Sequence, residues 1–196
     1  MGFLFPRLPD EIGRECLVRV ELNSHHNLRS VCKSWNAASK SPSFYERRKV
    51  LKISEQRICF IKEFFDEFEG VAVYDPEMNS CKSLPPLPIE FDGDFRGHFV
   101  KQKLVLIPDN LLDPTENHVW LYDFVGLKWK QGAKMTRWMN RFASATDEHG
   151  GLIYVAGGFG RYYYDRGSGM VGDPISSASV YNVEEEKWED LASRCF

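Results

Sequence analysis

The sequence lacks the features that mark membrane, secreted and zinc-binding proteins. It has no run of about 18 apolar residues, the length that a membrane-spanning helix needs. The first residues, Met1–Pro6, are too short a stretch for a secretory signal. The odd set of five cysteines contains no C-x-x-C pair: Cys16, Cys32, Cys59, Cys81 and Cys195. We therefore expect no disulfide framework, no zinc site, no membrane partner, and a reducing compartment, the cytoplasm or the nucleus.

Signals for nucleic-acid binding and for catalysis are also missing. The net charge is −3, and the charged residues are spread along the chain rather than gathered into a basic patch. The chain contains no H-E-x-x-H, no G-x-S-x-G and no phosphate-binding loop. The five histidines do not have ligand spacing: His25, His26, His98, His118 and His149. We expect no nucleic-acid partner, no catalytic residue, no metal and no cofactor.

The first fifty residues carry the periodicity of three short helices. Two apolar faces recur at helical spacing, first Ile12, Cys16, Leu17 and Val20, and then Leu28, Val31, Cys32, Trp35 and Ala38. A third helix is predicted from about Ser43 to Arg48, after the cap and first-turn proline Ser41-Pro42. A unit of this size is close to the lower limit for independent folding, so we expect it to rely on a partner or on the next domain.

In the second half, a turn followed by an aromatic-bearing strand recurs three times. The three units are Tyr74-Asp75-x5-Cys81, Tyr122-Asp123-x5-Trp129 and Tyr181-Asn182-x5-Trp188. They follow one another after 48 and 59 residues. A period near 50 residues that ends in a tryptophan-bearing strand is typical of a β-propeller blade.

The helical segment resembles an F-box. Leu8-Pro9-Asp10-Glu11-Ile12, Cys16-Leu17-Val18-Arg19-Val20 and the segment 28–35 match its pattern in order and spacing. The resemblance implies docking on a Skp-type adaptor, which is itself held by a cullin. Because so small a unit cannot bury all its apolar residues, we expect an exposed patch at that interface. The residues predicted to bind the adaptor are Leu8, Pro9, Ile12, Leu17, Val20, Leu28 and Val31. Glu21 stands where the family often has proline, so the first inter-helix turn is expected to differ.

The second half resembles kelch repeats, in which an apolar strand ends in Gly-Gly and is followed by Tyr-Asp and then Trp. The third unit matches fully, whereas the second has Pro108-Asp109 in place of the glycines and the first has Cys81 in place of tryptophan. In the family the glycines let strands approach closely, and the aromatic residues pack between blades. We therefore interpret the matching residues as structural: Tyr122, Trp129, Gly157, Gly158, Tyr181 and Trp188.

The predicted fold is an α+β chain of two domains. A three-helix F-box covers residues 4–49, and an all-β kelch region covers 50–196, with blades at about 57–88, 95–132 and 140–192. Propellers typically have 4–8 blades, so three predict an incomplete β-propeller. Truncation, dimerisation that completes a ring, and an open stack each explain this, and we favour truncation.

An F-box followed by kelch repeats is similar to a large plant family of substrate receptors for cullin-based ubiquitin ligases. The resemblance implies a non-catalytic adaptor that holds a target protein near a conjugating enzyme. The candidate target-binding segment, Arg161-Tyr162-Tyr163-Tyr164, lengthens the third unit and is rich in residues favoured at binding hot spots; the glycines after it predict a mobile loop. Two alternatives stay open: a truncated F-box protein that is inactive or a competitor, and a kelch scaffold or metal enzyme unrelated to ubiquitination.

Overall fold

The chain divides into two compact units, residues 1–57 and 58–196. The computed structural model describes residues 4–21, 24–53, 57–64, 67–90, 93–101, 103–109, 117–147, 150–165 and 169–191. The predicted class, F-box helices followed by all-β kelch units, is confirmed, since the described helices all lie in the first unit and the described strands all lie in the second.

The first unit contains four described helices: α1 (Asp10–Val18), α2 (His25–Val31), α3 (Lys33–Lys40) and α4 (Pro42–Val50). Helix α1 has Asp10 and Glu11 in its first turn, where acidic side chains favour the positive end of the helix dipole. Helix α4 begins with Pro42, whose missing N–H group would have no helical partner at that position.

The structure has four described helices where the sequence predicts three, because the predicted middle helix breaks at Cys32. This residue is fully extended, with φ −161° and ψ 168°, so α2 ends before it and α3 begins after it. Despite the break, Trp35 packs against the same core as Leu28. Trp35 donates its indole N–H to the carbonyl oxygen of Leu4 at 2.6 Å, and its ring lies 4.7 Å from that of Phe5.

A buried arginine of α4 connects this helix to the end of α1 by hydrogen bonds. The Arg48 guanidinium donates to the carbonyl oxygens of Val18 at 2.6 Å, Val20 at 2.5 Å and Ile53 at 3.0 Å. The carbonyls at the end of a helix have no partner within that helix, so Arg48 supplies one for the end of α1. The surrounding core consists of Leu4, Leu17, Val18, Leu28 and Phe44.

The second unit is built from antiparallel sheets. The first sheet holds β1 (Ile58–Phe64), β2 (Glu67–Asp75) and β3 (Ser80–Ser83), and the second holds β4 (Asp94–Val100), β5 (Lys103–Asp109), β6 (His118–Asp123) and β7 (Lys128–Lys134). After β8 (Ala143–Asp147) and β9 (Leu152–Ala156), β10 (Phe159–Asp165) and β11 (Gly169–Pro174) form a separate hairpin. The third sheet has the order β13-β12-β9-β8, with β12 (Ala178–Asn182) and β13 (Lys187–Leu191).

The recurring spacing from tyrosine to tryptophan corresponds to a tight hairpin. Its two ends face each other across neighbouring strands, as Tyr122 pairs with Trp129 and Tyr181 pairs with Trp188. In the first sheet Tyr74 pairs with Cys81 in the same way. Each repeat therefore places its aromatic residue beside the residue seven positions later, on the same face of the sheet.

The residue after each tyrosine builds the turn of its hairpin. The Oδ1 atom of Asp75 accepts the backbone N–H of Glu77 at 3.0 Å, and Oδ1 of Asp123 accepts that of Val125 at 2.8 Å. In the third hairpin Oδ1 of Asn182 accepts the N–H of Glu184 at 3.0 Å. These are Asx turns, in which a short side chain replaces a backbone hydrogen-bond partner. Each turn then ends at a residue with positive φ, namely Asn79, Leu127 and Glu186.

Two apolar layers join the three sheets in sequence order. The layer between the first and second sheets contains Val71, Leu87, Phe95, Leu104, Leu106, Trp120 and Tyr122. The layer between the second and third contains Val100, Val105, Ile107, Val119, Leu121, Met135, Met139, Phe142, Ile153, Val155, Tyr181, Val183 and Trp188. The described part of the chain forms a stack of three sheets, not a closed ring.

The glycine pair after β9 lies where two backbone segments approach closely. Gly157 and Gly158 have φ of 68° and 82°, which side-chain-bearing residues rarely adopt. A Cβ atom on Gly158 would overlap the carbonyl oxygen of Asn140 and lie 2.9 Å from the backbone nitrogen of Phe142. In the second sheet, Asp109 stands at the position of the pair. It accepts from Arg96 Nε at 2.7 Å and from the backbone N–H of Arg141.

Replacing Gly158 by alanine is expected to destabilise the second unit by about 2 kcal/mol, because the new Cβ atom combines a strained φ with backbone overlap. Chemical denaturation of the full chain measures this loss. Gly160→Ala is the matched control, since its Cβ would meet neighbours only at ordinary distances of 3.7 Å or more. Equal unfolding midpoints for the two variants would contradict the close approach.

The segment after the glycine pair is not the loop that the sequence predicts. Its two halves pair as antiparallel strands, from Phe159 opposite Pro174 to Asp165 opposite Gly169, with an irregularity before Tyr162. Strand pairing satisfies backbone N–H and C=O groups that a loop would leave to water. Tyrosine also favours strands. Residues 166–168, which join the strands, lie outside the described residues.

Candidate functional site

The residues predicted to bind an adaptor fall into two groups. Ile12 on α1 and Val31 at the end of α2 are large apolar side chains that are more than half exposed. Pro9 is exposed before α1, and Leu8 is half-buried beside it. These four residues are accessible to a partner. Isolated exposed apolar residues are common, so their importance here depends on the match to the docking motif.

The other three predicted adaptor-binding residues face the interior of the helical unit. Leu17 and Leu28 are almost fully buried members of its core, and Val20 is half-buried and packs against that core. Their positions correct the single exposed patch predicted from the sequence. They belong to or pack against the core that supports the helices presenting the exposed residues.

A groove of about 760 Å³ lies within the helical unit, between α1, α3 and α4. Apolar side chains line part of it: Leu4, Leu17, Val18, Ala37, Ala38 and Phe44. Charged side chains of both signs also line it: Asp10, Glu11, Arg14, Glu15, Lys33 and Arg47. The groove therefore combines an apolar lining with neighbouring groups that can form hydrogen bonds and ion pairs.

Two arginines and a glutamate link α1 to α4 on the exposed surface. Glu15 accepts from Arg47 Nε at 2.6 Å and from an Arg19 amino group at 2.7 Å. The hydrogen bond from Arg47, followed by that from Arg19, lowers the pKa of Glu15, and the same contact raises the pKa of Arg47. Sequence reasoning did not find this cluster. The spacing of Glu15 and Arg19, four residues apart on a helix, was the available signal.

Among the predicted structural residues of the kelch units, Tyr122, Tyr181 and Trp188 are buried, whereas Trp129 and the glycine pair are half-buried. The rings of Tyr122 and Trp129 have centroids 5.0 Å apart, as do those of Tyr181 and Trp188. Trp129 also donates its indole N–H to the carbonyl oxygen of Pro85 at 2.6 Å. Tyr181 is fully buried, and that burial raises the pKa of its hydroxyl to about 12. The burial of Tyr122, Tyr181 and Trp188 agrees with a structural role for these three side chains.

The predicted target-binding residues, Arg161, Tyr162, Tyr163 and Tyr164, lie on β10. Their side chains lie outside the described part of the chain, so their role stays a prediction. The base of the hairpin is fixed to the segment before β8, since Asn140 and Phe159 exchange backbone hydrogen bonds of 2.7 and 2.8 Å.

Two cationic residues and an aromatic residue lie near the start of the third sheet. The carbon at the centre of the Arg96 guanidinium is 5.5 Å from the centroid of the Phe142 ring. The same guanidinium pairs with Asp109, which also accepts the backbone N–H of Arg141. The sequence analysis did not predict that these residues lie together. The only sign of it in the sequence is Asp109, which stands where the repeat pattern has a glycine.

Among the described residues, no group of three or more His, Cys, Asp or Glu side chains is placed to hold a metal ion. His98, on β4, is half-buried, and burial lowers the pKa of its imidazole. His25 is buried in the helical unit, with Nε2 at 3.1 Å from the carbonyl oxygen of Val20. No helix in the described ranges has the length and hydropathy needed to cross a membrane.

Comparison with known families and proteins agrees with these two units. The F-box domain model matches residues 5–47, and the Kelch motif model matches residues 141–194. F-box/kelch-repeat protein SKIP30 of Arabidopsis thaliana is 30% identical, over 97% of this chain and 54% of the relative. F-box/kelch-repeat protein At1g80440 of Arabidopsis thaliana is 27% identical, over 96% of this chain and 55% of the relative.

The chain spans about half the length of the curated relatives it matches. Within that span both parts of the architecture are present in the same order, with the F-box match ending before the kelch match begins. The resemblance predicted from the motifs is therefore confirmed: the chain carries an F-box domain followed by a kelch motif, and it is similar over nearly its whole length to plant F-box/kelch-repeat proteins.

Proposed function

We propose that this chain is the substrate-receptor subunit of a Skp–cullin–F-box ubiquitin ligase. The F-box binds a Skp-type adaptor, and through it a cullin, while the kelch units bind a target protein. The observation that carries the proposal is the division within the F-box. Leu17 and Leu28 form its core, whereas Pro9, Ile12 and Val31 stay exposed on the docking motif.

In this role the chain is a non-catalytic adaptor that acts through proximity. Holding a target next to a conjugating enzyme raises the effective concentration of the reacting groups without any catalytic side chain in the receptor. The proposed place of action is the cytoplasm or the nucleus. For the target, we propose the β10–β11 hairpin, with Arg161 and Tyr162–Tyr164 as contact residues, because tyrosine and arginine are favoured at binding hot spots.

The double substitution Leu8→Asp and Ile12→Asp is expected to weaken adaptor binding by about 50-fold or more. Both changes place a carboxylate in an apolar contact, and an unpaired charge is costly to bury. Co-expression of the full chain with a Skp-type adaptor, followed by affinity measurement on the purified complex, gives the result. Val50→Asp is the matched control, because Val50 is an exposed apolar residue of the same unit that lies outside the docking motif.

We expect the Val50→Asp variant to bind the adaptor as the unaltered chain does, and both variants to keep their helical circular dichroism. If the double variant binds as tightly as the control while remaining folded, the docking surface is not the one proposed. If the unaltered chain does not bind the adaptor at all, the receptor function itself is wrong.

A further inference from the structure

Asp109, which replaces a glycine of the repeat pattern, joins the second and third sheets. It stands at the position that Gly158 has in the third sheet, and its side chain is only 7% exposed. One carboxylate oxygen accepts from Arg96 Nε at 2.7 Å, and the other accepts the backbone N–H of Arg141. Each oxygen of this buried carboxylate therefore fixes one arginine.

Arg141 has a backbone conformation that arginine rarely adopts. Its φ is 53°, in the left-handed region. The other described non-glycine residues with positive φ lie in hairpin turns or within three residues of a helix end. Arg141 instead lies between two anchored neighbours, since Asn140 exchanges backbone hydrogen bonds with Phe159 and Phe142 is 1% exposed. Strained residues held in this way cluster at ligand-binding sites.

The guanidinium group of Arg96 is held in place but remains accessible. Phe142 packs against it, with the central guanidinium carbon 5.5 Å from the ring centroid, and Asp109 binds its Nε atom. The Arg96 side chain is nevertheless 45% exposed, and its two terminal amino groups have no acceptor among the described residues. Arg141 is also exposed, and its guanidinium forms no ion pair within the described ranges. Two arginines with unused donors are thus anchored by one carboxylate.

The charges around the two arginines determine which kind of group fits them. Guanidinium groups bind carboxylates and phosphates through paired hydrogen bonds. Asp94 pairs in register with Asp109, so a second carboxylate lies on the same face of the sheet as Arg96. That negative charge opposes a doubly charged phosphate more than a singly charged carboxylate. Burial, and then the charge of Arg96, lower the pKa of His98, so this neighbour adds no positive charge at neutral pH. The site therefore fits a carboxylate.

We propose that Arg96 and Arg141, the arginine site, bind an acidic side chain of a target protein. The site adjoins the β10–β11 hairpin, because Asn140 precedes Arg141 and is hydrogen-bonded to Phe159 at the base of that hairpin. Arginine is also favoured at binding hot spots, and its fixed orientation here lowers the entropic cost of binding. The identity of the ligand as a target rests on the proposed receptor function, to which the arginine site adds the chemistry of the target segment, an exposed Asp or Glu.

A library of short random peptides displayed on phage and panned against the full chain provides the probe. We expect the enriched peptides to share an Asp or Glu at one position. The most enriched peptide, labelled with a fluorophore, then gives a Kd by fluorescence polarisation. Replacing its acidic residue by the matching amide should weaken binding about 10-fold or more, as expected for the loss of a charge-assisted hydrogen bond.

Arg141→Gln tests the site while keeping its backbone contact, because Asp109 accepts from the N–H group and not from the side chain. The variant should bind the acidic peptide about 10-fold more weakly, yet bind the amide peptide as the unaltered chain does. Arg96→Gln should behave in the same way where its unfolding midpoint shows that it folds. Lys128→Gln is the matched control, since it removes an exposed cation at the opposite end of the second sheet and should leave both Kd values unchanged.

The contrast between the two peptides separates binding from a structural role. If Arg141→Gln weakens both peptides equally, or keeps full affinity for the acidic peptide, the inference is wrong. A library that enriches no acidic peptide also overturns it. Binding of a Skp-type adaptor to the same preparations is measured separately. Peptide binding at the arginine site without adaptor binding would reject the receptor function and keep the site, whereas adaptor binding without the peptide result would reject the site alone.

Discussion

Trp188→Ala is expected to lower the free energy of unfolding of the kelch unit by about 3–5 kcal/mol, the range for removing a large aromatic side chain from a core. Trp188 is buried on β13 between the second and third sheets, and its ring centroid lies 5.0 Å from that of Tyr181. The alanine would leave a cavity in a layer that already contains fully buried residues from both sheets. Those neighbours sit on paired strands and can close the cavity only in part.

Trp129 and a milder change at Trp188 provide the controls. Trp129 holds the same register position in the second sheet but is half-buried, so Trp129→Ala should cost less than Trp188→Ala. Trp188→Phe should fall between Trp188→Ala and the unaltered chain because it refills part of the cavity. Denaturant titration followed by circular dichroism of the strands measures all three. A midpoint that does not move in Trp188→Ala would show that the third sheet is not packed as described.

Arg48→Met is expected to destabilise the F-box by about 3 kcal/mol, because the loss of the guanidinium leaves carbonyl groups without a partner in a buried position. Methionine keeps much of the side-chain volume, so the measured loss reports the hydrogen bonds more than the packing. Three carbonyl oxygens lose a donor, those of Val18, Val20 and Ile53, and of these only that of Val20 keeps a contact with the Nε2 atom of His25, at 3.1 Å. The first two lie at the end of α1, and the third lies after α4.

The adjacent residue supplies the control for this change. Arg47 is exposed and contacts Glu15 at the surface, so Arg47→Met should leave the midpoint nearly unchanged, as expected for a surface ion pair. Helical circular dichroism reports the F-box selectively, because the described helices belong to that unit. Equal effects of the two substitutions would contradict the role assigned to Arg48.

The repeat pattern could be predicted from the sequence because it is local. The spacing between Tyr181 and Trp188 predicts a turn and a returning strand, and the structure has both. The double glycine likewise predicts a close approach, which occurs at Gly158. For the hairpin, the signal and its physical cause lie within a few residues of each other, so no tertiary contact had to be known. The close approach at Gly158 involves Asn140 and Phe142, much earlier in the chain, and it was expected from the resemblance to kelch repeats.

The helical unit was predicted less well, because helical periodicity identifies an apolar face but not what covers it. Leu17 and Leu28 fit an interface and a core equally, and the structure places them in the core. Arg48 lies four residues after the buried Phe44, on the same helical face, but it stands in the basic run Arg47-Arg48-Lys49, and nothing in that run indicates that its middle residue is buried. The extended conformation of Cys32 interrupts an otherwise continuous periodic pattern, and no breaker residue marks it.

The strand pairing in the segment after Gly158 could not be predicted from local composition. Its glycines predict a loop, but glycine also fits a strand that pairs closely with its neighbour. The pairing of β10 with β11 connects residues on either side of the hairpin, and composition alone does not contain that information. For the same reason, the sequence did not predict the contacts among Arg96, Asp109 and Phe142, which lie on separate strands and connections.

The Asx turns that close the three hairpins have a consequence for how this chain folds and how such chains change. Each turn fixes strand register through contacts within about ten residues, and local contacts of this kind form early and at low entropic cost. The strand register of each hairpin therefore does not depend on contacts with distant strands. Duplication or loss of a whole repeat elsewhere in such a chain leaves the alignment of the remaining hairpins intact, so repeat number can vary during evolution without redesign of each unit.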